Sequence, residues 1–204
     1  ARKPMSILDA LLTGLRATSP AEGVAVVLGL AYVVLIARHS RWGWVAGALS
    51  SALFAWLFLA ARLPMQALLQ GYYVVMAAYG WMHWSRGGGL DQPVIRLSWR
   101  IHAAGLVASL VIGLAVARVL ATETQAASPY LDSMTTMVSL FATWLVARKV
   151  LENWLYWIVV DSLQAVLFAS QGLWFTALLF VLYLGIGTAG YLSWRRTYLG
   201  LRPA

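Results

Sequence analysis

The sequence predicts an all-α integral membrane protein: seven transmembrane helices in a 3+1+3 arrangement, with two parallel three-helix repeats around a linker span. Three observations point there. Hydrophobic residues make up 61% of the 204 residues and charged residues only 11%, with a mean hydropathy of +0.74, the composition of a chain whose helices face lipid. Seven apolar segments are separated by short polar gaps, and each is close to the ~20 residues that cross a bilayer. The chain also resembles itself at an offset of 110: residues 22–84 align with 132–194 without a gap, and 16 of 63 pairs are identical. Much of that identity is Leu and Ala, but Arg38, Trp44, Phe58, Tyr73, Gly80 and Trp84 meet Arg148, Trp154, Phe168, Tyr183, Gly190 and Trp194.

Residues 1–20 form the amino-terminal tail. Ala1 to Pro4 precede Met5 and carry no weight here, while Ile7, Leu8, Leu11, Leu12 and Leu15 face away from Ser6, Asp9, Thr13 and Arg16. That pattern fits an amphipathic helix on the membrane surface rather than a cleavable signal. The first repeat occupies 21–84, with spans at 22–37, 43–61 and 65–84 separated by Arg38 to Arg41 and by Arg62 with Pro64. Residues 85–130 hold a loop and the linker span. The loop contains Gly87-Gly88-Gly89 and Asp91-Gln92-Pro93, a flexible boundary between halves. The linker span, 101–121, repeats small residues every four positions at Gly105, Ser109, Gly113 and Ala117, a face for close helix packing. The second repeat, 131–194, has spans at 131–147, 153–169 and 173–194, and a basic tail follows at 195–204. Three spans invert a repeat relative to its copy; one extra span restores the direction, so the halves run parallel.

Charge sets the orientation. Of the thirteen arginines and two lysines, ten fall on the side of the carboxyl terminus and five on the other. The positive-inside rule then puts the carboxyl terminus in the cytoplasm and the amino terminus outside. The net charge of +8 is distributed between spans, which speaks for a membrane and against nucleic acid. There is no cysteine, so the thiol argument about compartment is silent. The chain has no Gly-x4-Gly-Lys phosphate loop, His-Glu-x-x-His or Gly-x-Ser-x-Gly, and no lysine in its last span to hold retinal. These absences argue against an enzyme, a resident cofactor and a metal. His39, His83 and His102 lie at span ends without metal-ligand spacing, and Trp42, Trp99, Trp174 and Trp194 read as interfacial belt residues.

The sixth span holds the candidate site. Asn153, Trp157, Asp161, Gln164 and Phe168 follow at spacings of four, four, three and four, with Trp154 seven residues before Asp161, so they share one helical face. A carboxylate at bilayer depth costs at least ~2.5 kcal/mol and is usually kept for a function. Three roles are open to Asp161: a buried acid bonded to a serine or amide, a proton-coupling group, or a counter-charge to a cationic substrate. The indoles favour the last, because their faces attract cations and stack flat rings. The third span carries Gln66, Gln70 and Tyr73 on one face; Gln66 reads as interhelical glue, while Gln70 and Tyr73 lie deeper and are open to either role.

The segment Glu152-Asn-Trp-Leu-Tyr-Trp-Ile-Val-Val-Asp161, with Gly190-Tyr-Leu-Ser-Trp194, Arg41-Trp-Gly-Trp44 and Tyr79-Gly-Trp-Met-His-Trp84, resembles the Pnu family of B-vitamin precursor transporters. The similarity is closest to the PnuC-type nicotinamide riboside transporters and covers about residues 20–198. It implies a SWEET-like fold, a homotrimer in a bacterial inner membrane, and facilitated diffusion with trapping by a cytoplasmic kinase. Its substrate site falls on Trp154, Trp157 and Asp161, with Asn153, Gln70 and Tyr73 less tightly tied. Arg41 departs from the polar or small residue expected before Trp42-Gly-Trp44. A flat pyridinium bearing a ribose suits stacked indoles and one carboxylate. Thiamine, riboflavin and a non-transporting receptor or scaffold are the alternatives.

Overall fold

A computed structural model describes residues 13–14, 18–60, 64–86, 93–123 and 129–201. The expected surface helix falls outside them except at Thr13 and Gly14, as do the Gly87-Gly88-Gly89 and Asp91-Gln92 segments. The described residues form seven long helices: α1 Pro20–Ala37, α2 Trp42–Ala60, α3 Pro64–Arg86, α4 Trp99–Glu123, α5 Pro129–Ala147, α6 Asn153–Ser170 and α7 Trp174–Tyr198. Proline opens α1, α3 and α5, where its missing N–H costs nothing. Ser19 caps α1 by accepting from the Glu22 amide. The bounds of α1, α2 and α3 recur in α5, α6 and α7 at an offset of about 110, to within two residues.

By length and composition, α1, α2, α4 and α7 are apolar enough to cross a membrane. The helices α3, α5 and α6 are less apolar because they carry polar residues: Gln66 and Gln70 in α3, Asp132, Ser133, Thr135, Ser139 and Thr143 in α5, Asn153, Asp161 and Gln164 in α6. Most of these turn inward; Ser133, Thr135, Ser139, Thr143, Asn153 and Asp161 are buried. The hydroxyls of Thr135, Ser139 and Thr143 donate to backbone carbonyls one turn earlier, which satisfies them without an outside partner.

Six helices close a ring in the order α1, α2, α3, α5, α6, α7 and back to α1, each packing on its two neighbours. The helix α4 stands outside the ring; it packs mainly on α5 and reaches α6 through His102, which meets the Tyr156 hydroxyl at 3.1 Å. Its small-residue face makes that contact: a methyl group on Gly105 would lie 2.3 Å from the Phe141 ring, and one on Gly113 would lie 2.9 Å from the Met134 backbone.

Two turns are near copies. After α1, the His39 amide bonds Ile36 O and the Ser40 amide bonds Leu35 O; after α5, the Lys149 amide bonds Val146 O and the Val150 amide bonds Leu145 O. Both are Schellman ends, and both put a non-glycine residue in the left-handed region, His39 at φ 59° and Lys149 at φ 52°. Among the described residues, only the second is strapped. The stretch entering α4 pairs with it, Ile95 N–H to Lys149 O and Leu151 N–H to Ile95 O, and Arg96 forms an ion pair with Glu152.

One correction concerns the tryptophans. Trp42 and Trp99 are exposed at helix starts as belt residues should be, but Trp194 is fully buried. The helix α7 runs on to Tyr198, so Trp194 lies a turn inside it and donates its Nε1–H to Ile36 O at 3.1 Å.

Candidate functional site

A cavity of about 360 Å³ lies inside the ring, lined by residues of all six ring helices and none of α4. That volume falls at the low end of the range for small-molecule sites, about 300–1,000 Å³. The lining shows the 110-residue offset too. Eight pairs at that spacing face the cavity: Val33 and Thr143, Ile36 and Val146, Trp44 and Trp154, Gly47 and Trp157, Ser51 and Asp161, Gln70 and Phe180, Tyr73 and Tyr183, Ala77 and Gly187. Gly29, Tyr32, Ser50 and Phe54 complete it. At three of the pairs that differ, the last three helices supply Trp157, Phe180 and Asp161 where the first three have Gly47, Gln70 and Ser51.

Trp154, Trp157, Asp161, Gln70 and Tyr73 all line this cavity. Asn153 and Gln164 do not. Asn153 is fully buried at the start of α6 and donates to Val150 O at 2.6 Å, while Gln164 donates to the Thr135 hydroxyl of α5 at 3.2 Å. At about 100° per residue, both sit roughly 50–70° to the α5 side of the arc centred on Trp154, Trp157 and Asp161. Three residues of the stripe face the cavity, and Asn153 and Gln164 at its edge make backbone and interhelical contacts.

Asp161 is 6% exposed and forms no side-chain hydrogen bond or ion pair with the described residues. The first role open to it, an acid bonded to a serine or amide, therefore has no partner in the structure. Among the described residues, no other Asp or Glu and no Lys, Arg or His lines the cavity. The aromatic walls come from Tyr32, Trp44, Phe54, Tyr73, Trp154, Trp157, Phe180 and Tyr183. This is a mostly apolar chamber with one charge, able to hold a flat ring by stacking and to favour positive charge on it.

Behind Trp44 and Trp154 an indole layer crosses the ring. Trp44 meets Trp84 edge-on at 5.6 Å, Trp84 meets Trp194 at 6.0 Å, and Trp194 meets Trp154 edge-on at 5.5 Å. Gly80 and Gly190 make room for it; a methyl group there would come within 2.3 Å of Trp44 and 2.6 Å of Trp154. Sequence reasoning missed Trp44, Ser51, Tyr32 and Tyr183 as lining residues. The internal offset held the signal: subtracting 110 from Trp154 and Asp161 gives Trp44 and Ser51, and adding it to Tyr73 gives Tyr183.

Comparison with known proteins bears on the fold and the family. The nicotinamide riboside transporter PnuC of Escherichia coli is 25% identical over 200 residues, covering 85% of this chain and 84% of that protein. The PnuC of Neisseria mucosa is 27% identical over 188 residues, 85% of this chain and 71% of the relative. The riboflavin/roseoflavin transporter RibM of Streptomyces davaonensis is 26% identical over 176 residues, 84% and 82%. A crystal structure of the vitamin B3 transporter PnuC shares the fold, with a TM-score of 0.71 at 24% identity over 96% of this chain and 91% of that one. Residues 19–196 match the model of a single family, and the chain belongs to that family, the nicotinamide mononucleotide transporters.

Proposed function

We propose that the chain carries nicotinamide riboside across the membrane. The observation that carries this reading is Asp161, a carboxylate with no hydrogen-bond or ion-pair partner among the described residues, set among tryptophan and tyrosine rings at bilayer depth. A buried carboxylate without a counter-charge is costly, and a bound pyridinium supplies that counter-charge. Stacking on Trp157 holds the ring. Gln70, Ser50, Ser51 and Tyr73 offer donors and acceptors for a ribose. The PnuC relatives carry this substrate by name.

Transport is facilitated diffusion, with the substrate trapped by a cytoplasmic kinase. One acidic group in the cavity and no nucleotide motif leave no evident route for coupling to ATP. The architecture behind it is a SWEET-like 3+1+3 arrangement of parallel repeats in a homotrimer of the bacterial inner membrane, with the amino terminus outside and the carboxyl terminus inside. The 110-residue offset in helix bounds and in lining supports the repeats. Arg38, Arg41, Arg148, Arg195 and Arg196 at one end of the ring support the orientation.

Calorimetry on purified protein tests the substrate. Nicotinamide riboside binds and its phosphorylated form does not, because the added negative charge faces Asp161. Riboflavin is the second reading, favoured by the match to RibM; tighter binding of riboflavin or thiamine than of nicotinamide riboside would overturn the assignment.

A further inference from the structure

The ring has two seams where the first three helices meet the last three, α3 against α5 and α1 against α7. At the basic end each is tied by one buried tryptophan. Trp84 of α3 donates to Ala147 O of α5, and Trp194 of α7 donates to Ile36 O of α1, both at 3.1 Å. A basic side chain from each left-handed turn covers the indole: Lys149 Nζ lies 4.6 Å from the Trp84 ring centre, and the His39 ring stacks on Trp194 at 5.2 Å. Anything leaving the cavity at this end must pass the indole layer.

The seams are not equally fastened. The α3–α5 seam has a second tie, Tyr72 OH to Leu140 O at 2.9 Å; the position in α7 that corresponds to Tyr72 is Leu182, which has no donor. The turn after α5 is also bound by the strap at Ile95 and by the Arg96–Glu152 ion pair. Glu152 faces His102 of α4 at 3.7 Å, and His102 meets Tyr156 of α6 at 3.1 Å. Among the described residues, the turn after α1 has no strap. Its side-chain ties to α7 both run through the His39 ring: the stack on Trp194 and an exposed contact with the Thr197 hydroxyl at 3.1 Å.

We propose that the α1–α7 seam is the gate at the basic end and that the α3–α5 seam is the hinge about which it opens. Separating α1 from α7 breaks one buried hydrogen bond, one ring stack and one exposed contact, and it withdraws His39 and Trp194 from the exit. Separating α3 from α5 breaks one buried and one half-buried hydrogen bond and a buried cation–π contact, and it strains a backbone-paired strap. An opening motion follows the weaker set.

The inference rests on the transport reading for its flux assay alone. The chain contains no cysteine, so introduced pairs are the sole thiols. His39→Cys with Thr197→Cys places thiols across the gate, and Arg96→Cys with Glu152→Cys places them across the strap; because the parent contacts join side-chain ends, a short bis-methanethiosulfonate rather than a direct disulfide bridges each pair. In liposomes, cross-linking the gate pair cuts nicotinamide riboside flux at least tenfold, leaves binding within threefold of the parent, and is reversed by reductant. Cross-linking the strap pair leaves flux within twofold. Normal flux with the gate bridged, or arrest with the strap bridged, overturns the proposal. Absence of flux in the unmodified chain would instead count against the substrate reading. A substrate-free measurement then decides the gate: in lipid nanodiscs, the backbone amides of 38–41 exchange with deuterium at least tenfold faster than those of 149–152. Equal or reversed rates overturn it.

Discussion

Replacing Asp161 by Asn keeps the side-chain shape and a polar head while removing the charge. A sphere of the cavity's volume, about 360 Å³, has a radius of about 4.4 Å, so a cation at its centre lies roughly 5 Å from a carboxylate in the wall. At an effective dielectric of about 20, their attraction is on the order of 3 kcal/mol. Desolvating the cation offsets part of this. The expected loss is about 1.4–2.8 kcal/mol, tenfold to a hundredfold weaker binding of nicotinamide riboside. An uncharged analogue with a reduced ring loses none of it. Stability should move the other way: Asp161 has no partner among the described residues, so the Asn variant loses a desolvation cost and melts no earlier than the parent when empty. Calorimetry with both ligands and a thermal melt measure these effects. If both ligands weaken alike and the melt drops, the acid is holding helices together and the counter-charge argument is wrong.

Two further expectations follow from packing and burial. A methyl group at Gly80 or Gly190 would meet an indole at 2.3 or 2.6 Å, whereas Gly71 has nothing within 4 Å. Gly80→Ala and Gly190→Ala should therefore cost about 1–3 kcal/mol by overpacking, and Gly71→Ala should be neutral or gain up to about 1 kcal/mol of helix propensity; melts of the three variants compare them. Burial, and then the Lys149 charge, hold the His39 imidazole down at about 4 from its ordinary 6.5. The unfolded chain takes up this proton near pH 6.5 and the folded one only near pH 4, so stability falls as pH drops through that window. His39→Gln should flatten that part of the melting curve, and an unchanged slope would show that His39 takes up its proton in the folded protein.

The spans were legible because their punctuation is chemical. Proline opens α1, α3 and α5, and arginines sit between apolar runs, so expected and observed helix bounds differ by no more than four residues. Part of the cavity was legible because Asp161 and two indoles stand out in one apolar helix and Gln70 and Tyr73 in another. The rest was not. Gly47, Ser50 and Ser51 of α2 are small, and small residues in a span read as packing positions until a neighbouring helix is known. Gln164 misled for the opposite reason. Its polarity and spacing match a site residue, but whether it faces the cavity or Thr135 depends on where α5 lies. Trp194 is similar: α7 continues to Tyr198, turning an apparent belt residue into the tie between α7 and α1.

The central claim is downhill passage of nicotinamide riboside through this chamber, and flux into liposomes tests it most directly. With labelled nicotinamide riboside outside and neither ATP nor an ion gradient, the inner concentration should rise to the outer one and stop. Asp161→Asn should slow the approach at low substrate concentration. Accumulation above the outer concentration under an imposed proton gradient would contradict facilitated diffusion and make Asp161 a coupling group, and binding without any flux would contradict transport itself.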